Sequence, residues 1–289
     1  MDIKQIEVRR QKVLSGEEFT NFTTMLDDVR DFFLPEGGRL RTQVSKGTKL
    51  NKRRVSDIGI SMLNDYAAGV ISELVTSGQE WFGVEDGKEV LEDADMFTGI
   101  TKKMYNAVKA SNFYSEFYRG QKGAGCDGTA CFTTERIDQK LTSTCVPFGS
   151  FWFVQDFRGH PNIVWIEKKT TASALVGEYG EDGVSVKCKQ AFEKDPDKEV
   201  EIIYYCAPRT KRDMKSKDAK DKAYELIVYE KDGAHLLEEG GSDLQKFLVY
   251  RVKRIGNETL GRGPCIETAC SMSAVERSSK EFERCARLA

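Results

Sequence analysis

The sequence predicts an α+β fold, with helices first and a mostly antiparallel β region after them. Three observations carry that expectation. Apolar residues recur at three- and four-residue spacings in several stretches between 17 and 118, the period of helices with one buried face. From about 129 to 255 the texture changes to β-branched and aromatic runs separated by Gly-, Pro- and Asp-containing turns. A last helical pattern then runs from 265 to 288.

Residues 17–34 place Phe19, Phe22, Met25, Leu26, Val29, Phe32 and Phe33 on one helical face, ended by Pro35 and Gly37-Gly38. Ser56 and Asp57 read as the cap and first turn of a second helix. Its expected buried stripe is Met62, Leu63, Tyr66, Ala67, Val70, Ile71 and Leu74, and Gly78 is its expected end. Gly69, with the small Ala67 and Ala68, would let another helix approach closely. Trp81-Phe82 then supply a large apolar anchor. A third helix is expected from about Asp93 to Ala110 through Phe97, Ile100, Met104, Ala107 and Val108. Ser111-Asn112 interrupts it, and Phe113, Tyr114, Phe117 and Tyr118 restart it as a short aromatic helix.

Gly123-Ala-Gly125-Cys-Asp-Gly128 matches the dinucleotide pattern G-x-G-x-x-G in the wrong setting. That motif needs a strand before it and a helix after it, so that the helix N-terminus faces the pyrophosphate. Here a helix precedes and β-prone Thr129–Thr134 follows. The glycines are read as turning helix into strand, and no cofactor is assigned.

In the β region, Val146–Gln155 and Ile163–Lys168 flank the Asp156–Pro161 turn and read as a hairpin. Thr171–Tyr179 reads as a short helix closed by Gly180. Further strands are expected at Val184–Phe192, Val200–Cys206, Tyr224–Glu230 and Phe247–Ile255, with a hairpin-type turn at Asp232-Gly233. Between them Arg209–Lys222 carries seven basic residues against three aspartates and almost nothing apolar, the composition of an exposed loop.

The stretch Asn257-Glu-Thr-Leu-Gly-Arg-Gly-Pro264 joins the last strand to the last helix. Gly261 and Gly263 around Arg262 leave the backbone free to turn, and Pro264 suits a first helical turn. These four residues are the candidate structural junction of the chain.

Composition narrows the function classes. Hydrophobic residues make up 39% and charged residues 31%, and the net charge of −2 excludes a strongly basic, DNA-coating chain. One local run stands out: Lys46-Gly-Thr-Lys-Leu-Asn-Lys-Arg-Arg54, with Lys46, Lys49, Lys52, Arg53 and Arg54 and no acid. It could meet phosphates without reading sequence, or be a solvated loop. No apolar run reaches membrane-spanning length, and residues 1–18 are charged throughout, so no signal peptide and an intracellular setting are expected.

Eight cysteines include no Cys-x-x-Cys pair, and His160 and His235, the only two histidines, lie near no cysteine pair. Structural zinc needs four convergent ligands, so no metal is assigned and reduced thiols are expected. There is no phosphate-binding G-x-x-x-x-G-K-[ST] loop, no G-x-S-x-G elbow and no H-E-x-x-H pair. The chain is read as non-enzymatic.

A distributed set of residues resembles the portal, or head-to-tail connector, proteins of short-tailed bacteriophages. Phe32-Phe33-Leu34-Pro35 is similar to the family's end of the first helix. Asp57-Ile-Gly59, Ala67-Ala68-Gly69-Val70, Leu74-Val75-Thr76 and Trp81-Phe82 are similar to its second helix and aromatic anchor. Ser111-Asn-Phe-Tyr114 with Gly128-Thr-Ala130 resembles its helix break before the sheet. Pro147–Phe151, the Asp156–Gly159 turn, Thr170-Thr171 and Ala207-Pro208-Arg209 follow in order. Tyr250-Arg251 and Gly261-Arg-Gly-Pro264 are the most specific matches. Ser77-Gly78-Gln79-Glu80 departs from the family, which has a Pro-rich turn there.

The resemblance implies a wing domain over 1–260, helical to 122 and β-rich from 123, with 261–289 beginning a stem helix. The clip, the second stem helix and the crown would lie outside this chain. It implies a structural subunit of a homo-oligomeric ring, a dodecamer in the family, at a capsid vertex of the virion, assembled in the host cytoplasm. The ring would be a conduit for genome packaging and ejection and the attachment point of the tail. Implied partners are the major capsid protein, the terminase motor, a tail adaptor and double-stranded DNA, with no membrane. Lys46, Lys49, Lys52, Arg53 and Arg54 would then approach the DNA backbone or the capsid, and Trp81 and Phe82 would anchor the wing. Two alternatives stay open: a nucleic-acid-processing α+β enzyme using the basic run and unrecognised carboxylates, and a monomeric adaptor or tail-binding module.

Overall fold

A computed structural model describes residues 2–41, 56–76, 78–85, 94–210, 212 and 218–288. In chain order the described helices are α1 (Ile3–Leu14), α2 (Glu17–Phe33), α3 (Ile58–Leu74), α4 (Ala94–Lys109), α5 (Phe113–Asp127), α6 (Ala172–Tyr179), α7 (Val186–Lys194) and α8 (Pro264–Leu288). The strands are β1 (Thr129–Ile137), β2 (Lys140–Val146), β3 (Phe151–Gln155), β4 (Pro161–Thr171), β5 (Glu199–Pro208), β6 (Tyr224–Glu230), β7 (His235–Ser242) and β8 (Phe247–Arg251). The α+β class expected from the sequence is the class observed. The chain forms two compact units, Met1–Phe22 with Phe148–Leu248, and Thr23–Pro147 with Val249–Ala289.

The first unit is built on a five-stranded antiparallel sheet in the order β3-β4-β5-β6-β7. Register lines up Trp152, Trp165, Tyr205 and Ile227 across four neighbouring strands. Alternation then sends their neighbours to the opposite face. The aromatic face buries Ile6 of α1, with Ile203 and Tyr229 in the same cluster. The other face buries Ile202 against Ala172 and Leu175 of α6 and Cys188 and Ala191 of α7. The expected hairpin is present with its first arm shortened to Phe151–Gln155, since Val146 ends β2 and pairs with Cys131 instead. The helix at 171–179 and the strands at 200–206 and 224–230 are present.

Two elements of this unit differ from the sequence reading. Val184–Phe192 is not a strand: Ser185 caps α7 by accepting from the Cys188 N–H at 3.2 Å. The alternating Val184, Val186 and Cys188 suggest period two, but the buried positions are 184, 188 and 191, while Val186 is 70% exposed. Helix α1 went unrecognised among its charges. Its inward face is Ile6 and Arg10, and Arg10, only 1% exposed, binds Glu7 and Glu167 and lies 5.2 Å from the Trp152 ring. Tyr229 donates to Glu7 at 2.8 Å. Buried charge is tolerated here because Glu7 and Glu167 both pair with Arg10.

The second unit gathers α3, α4, α5 and α8 with the rest of α2 around a three-stranded sheet, β2-β1-β8. Asp138 and Gln139, both at positive φ, form the two-residue turn between β1 and β2. Val29, Phe33 and Leu34 of the α2 end pack with Leu63, Cys126, Cys265 and Met272.

Several details were misplaced by the sequence. Helix α3 ends at Leu74, before Gly78, and its buried residues are Gly59, Leu63 and Ala67, while Met62 and Leu74 are 48% and 63% exposed. The close helix approach occurs at Gly125, where a Cβ would lie 2.7 Å from the Tyr66 ring; at Gly69 it would meet nothing within 4 Å. Gly123 and Gly125 lie inside α5, and Gly128 alone makes the turn into β1. On α4 the buried residues are Thr101 and Tyr105, whereas Ile100 and Met104 are exposed. Strand β8 stops at Arg251, short of Ile255.

Candidate functional site

The Gly261–Pro264 junction is built against the end of α5. Gly128 caps that helix in the left-handed region, φ 81°. A Cβ on Gly128 would lie 2.2 Å from the Gly261 carbonyl oxygen, and one on Gly261 would lie 2.3 Å from the Gly128 carbonyl oxygen. A Cβ on Gly263 would lie 2.2 Å from the Gly125 carbonyl oxygen. Separations below 3.0 Å exclude a side chain, so two glycine-rich stretches far apart in sequence are mated backbone to backbone.

Hydrogen bonds fix that contact. The Gly261 N–H donates to Thr129 Oγ1 at 2.9 Å, and the Val252 N–H donates to the Gly128 carbonyl at 3.0 Å. Arg251 donates to the Thr259 carbonyl at 3.0 Å, and the Arg262 N–H to the Lys253 carbonyl at 2.8 Å. Arg262 points back to Glu258 in a two-pronged pair at 2.9 and 2.6 Å. This Arg262 hydrogen bond is the main reason the Glu258 carboxyl sits below its ordinary range. Pro264 then opens α8, where its missing N–H costs nothing. Arg262 is thus a clasp on its own loop.

Beneath the junction lies a buried ion pair absent from the sequence reading. Arg30 of α2 grips Asp127, the last residue of α5, at 2.8 and 2.6 Å, with side-chain exposures of 4% and 1%. Burial works against the Arg30 charge, yet Asp127 more than offsets it and holds the guanidinium above its usual range. Arg30 also donates to the Gly37 and Gly38 carbonyls at 3.4 and 3.3 Å, tying down the chain after α2. Beside the pair, burial pushes the Cys265 thiol up to about 12 and the Cys126 thiol well above its ordinary value. These are protonated packing groups, not nucleophiles.

Trp81 and Phe82 sit in an aromatic cluster. Phe82 stacks on Tyr105 at 4.2 Å and Trp81 on Phe113 at 6.0 Å. Tyr105 Oη accepts from the backbone N–H groups of Trp81 and Phe82, and Thr101 Oγ1 accepts from that of Val84 at 3.1 Å. This explains the rotated face of α4: its two buried hydroxyls satisfy the backbone of the Trp-Phe segment. Trp81 itself keeps 38% of its surface exposed.

Lys46, Lys49, Lys52, Arg53 and Arg54 lie outside the described residues. Both flanks of their segment are fixed. Asp27 of α2, 2% exposed, accepts from the Leu40 N–H at 2.5 Å and from Arg41 at 3.2 Å. Glu276 of α8, also 2% exposed, accepts from the Ser56 N–H at 3.0 Å. Two buried carboxylates therefore hold Leu40 and Ser56, the described residues on either side of that segment. Neither was found from the sequence, because each looks like an ordinary polar position on a helix. Among the described residues no group of three or more His, Cys, Asp or Glu side chains is placed to hold a metal, and no helix is long and apolar enough to cross a membrane.

The family model described as bacteriophage head to tail connecting protein matches residues 7–289. The "Probable portal protein" of Bordetella phage BPP-1 is 23% identical over 249 residues, covering 83% of this chain and 45% of the relative. The "Portal protein" of Salmonella phage epsilon15 is 26% identical over 240 residues, covering 78% and 42%. The chain spans less than half the length of each of these relatives.

Proposed function

The chain belongs to the bacteriophage head to tail connecting protein family, and from that premise we propose that it is a structural portal subunit. In this reading copies form a ring at one capsid vertex, through which the genome is packaged and ejected and to which the tail attaches. The observation that carries the proposal is the family match over residues 7–289, which takes in both folded units. The physical chemistry supports it. A conduit must let DNA slide, and a near-neutral chain of net charge −2 with only local basic runs suits that.

The major capsid protein, a terminase motor, a tail adaptor and duplex DNA are the partners this role requires. Lys46, Lys49, Lys52, Arg53 and Arg54 are assigned to the DNA backbone or the capsid, in the stretch between Leu40 and Ser56, whose N–H groups donate to Asp27 and Glu276. Trp81 and Phe82 are assigned as wing anchors, and Gly261–Pro264 as the junction that aims α8. Electron microscopy of the purified protein tests the proposal. Rings with a central channel are expected; uniform small particles, from this chain and from the full reading frame that contains it, would overturn it.

A further inference from the structure

Two exposed helix faces of the second unit carry the same spacing. On α3, Ile58, Met62, Asp65, Gly69 and Ser72 follow at intervals of four, three, four and three. On α4, Met96, Ile100, Lys103 and Ala107 follow at four, three and four. All of these residues are exposed; Ile58 and Met62 are each 48% accessible, Met96 53% and Ile100 38%. A mean interval of 3.5 residues keeps a seam on one side of a helix along its length, the pattern by which two helices pack side by side. Exposed as they are in the isolated chain, the two faces are open to another molecule.

The faces are complementary as well as similar. Laid parallel, Ile58 comes opposite Met96, Met62 opposite Ile100, Asp65 opposite Lys103 and Gly69 opposite Ala107. That register sets apolar on apolar, acid on base and small on small. Helix α3 carries two acids and no base, giving −2; α4 carries three lysines and one aspartate, giving +2. No ion pair engages Asp65 or Lys103 among the described residues. A Cβ on Gly69 would meet nothing within 4 Å, so the middle of the α3 face is open to a close neighbour.

We infer that the α3 face from Ile58 to Gly69 receives the α4 face from Met96 to Ala107 of a second copy of this chain, with Asp65 against Lys103. Two different patches that join head to tail make a heterologous contact, which closes into a ring when the rotation per subunit allows it. The inference rests on the ring reading above and names the surface that would build it.

Sedimentation velocity over a concentration series tests it, on the wild-type chain, Asp65→Lys, Lys103→Glu and the double variant. Both positions of the test are on the surface, and matched thermal unfolding would show that the variants fold. The wild type is expected to assemble, and each single reversal to weaken association by about tenfold or more. The double reversal restores the pair with its signs exchanged and is expected to recover most of that loss. Singles that assemble like the wild type, or a double no better than the weaker single, would overturn this interface and leave the ring reading standing. A wild-type chain that stays monomeric at every concentration would overturn this interface, and the ring reading falls with it only if the full reading frame also stays monomeric.

Discussion

Gly128 and Gly261 exclude each other's side chains: a Cβ on either would fall 2.2–2.3 Å from the carbonyl oxygen of the other. The end of α5 and the start of α8 are therefore held at backbone contact, and the direction of α8 depends on both residues remaining glycine. Gly261→Ala is expected to destabilise the chain by about 1–3 kcal/mol through overpacking. Gly128→Ala should cost more, since its φ of 81° adds roughly 1 kcal/mol. Gly123→Ala is the control, because a Cβ there meets nothing within 4 Å and the position is helical; it should be neutral or stabilising by up to about 1 kcal/mol. Urea unfolding of the three variants checks the order.

Arg30 and Asp127 form the buried hinge pin beneath that contact. Asp127→Ala leaves a guanidinium unpaired in the interior and is expected to cost about 3–5 kcal/mol. Replacing both residues with apolar ones should cost much less than the sum of the single changes. A double-mutant cycle read by denaturant unfolding decides this; additive losses would mean the pair is not coupled.

Stability of the first unit should fall in acid through Glu7. Burial raises its pKa, but hydrogen bonds from Arg10, Gln11 and Tyr229 outweigh that and hold it below the ordinary 4.5. A carboxyl depressed on folding contributes stability above its unfolded pKa and loses it as pH falls through its folded pKa. Glu7→Gln is thus expected to lower the melting temperature at pH 7 and to converge with the wild type as pH drops below 4.5 and through the folded value. A gap that persists unchanged to the lowest pH would contradict the sign.

Thiol accessibility gives a count. Six of the eight cysteines are buried, while Cys270 and Cys285 on α8 are exposed. Two thiols should react quickly with a colorimetric disulfide reagent in the native chain, and eight after denaturation. Rapid reaction of Cys126 or Cys265 would show that the packing around the Arg30–Asp127 pair is wrong.

Sequence periodicity located α2, α3, α4, α5, α6 and α8 and most of the large sheet, because each has a stripe or an apolar run long enough to mark it. It failed where polar groups decide the packing. Helix α1 buries a charged residue, Arg10, beside the single apolar Ile6, so its inward face reads as surface. Helix α4 turns Thr101 and Tyr105 inward because backbone N–H groups of residues 81–84 need acceptors, a demand invisible from α4 itself. At the junction the glycines of 261–264 were legible as a turn, but their partners at 125 and 128 belong to a motif that sequence reading treated alone. The resemblance, carried by the order of motifs, reached the family that the comparison shows, and geometry shows that two of those motifs, Gly128-Thr-Ala130 and Gly261–Pro264, touch.

The central claim is that this chain connects a phage head to its tail, and its position in the particle tests that most directly. Virions carrying an epitope-tagged copy would be labelled with antibody-coated gold and examined by electron microscopy after partial opening of the head. Label at a single vertex, the one bearing the tail, is the expected result. Label spread over many vertices, or confined to the far end of the tail, would contradict the account.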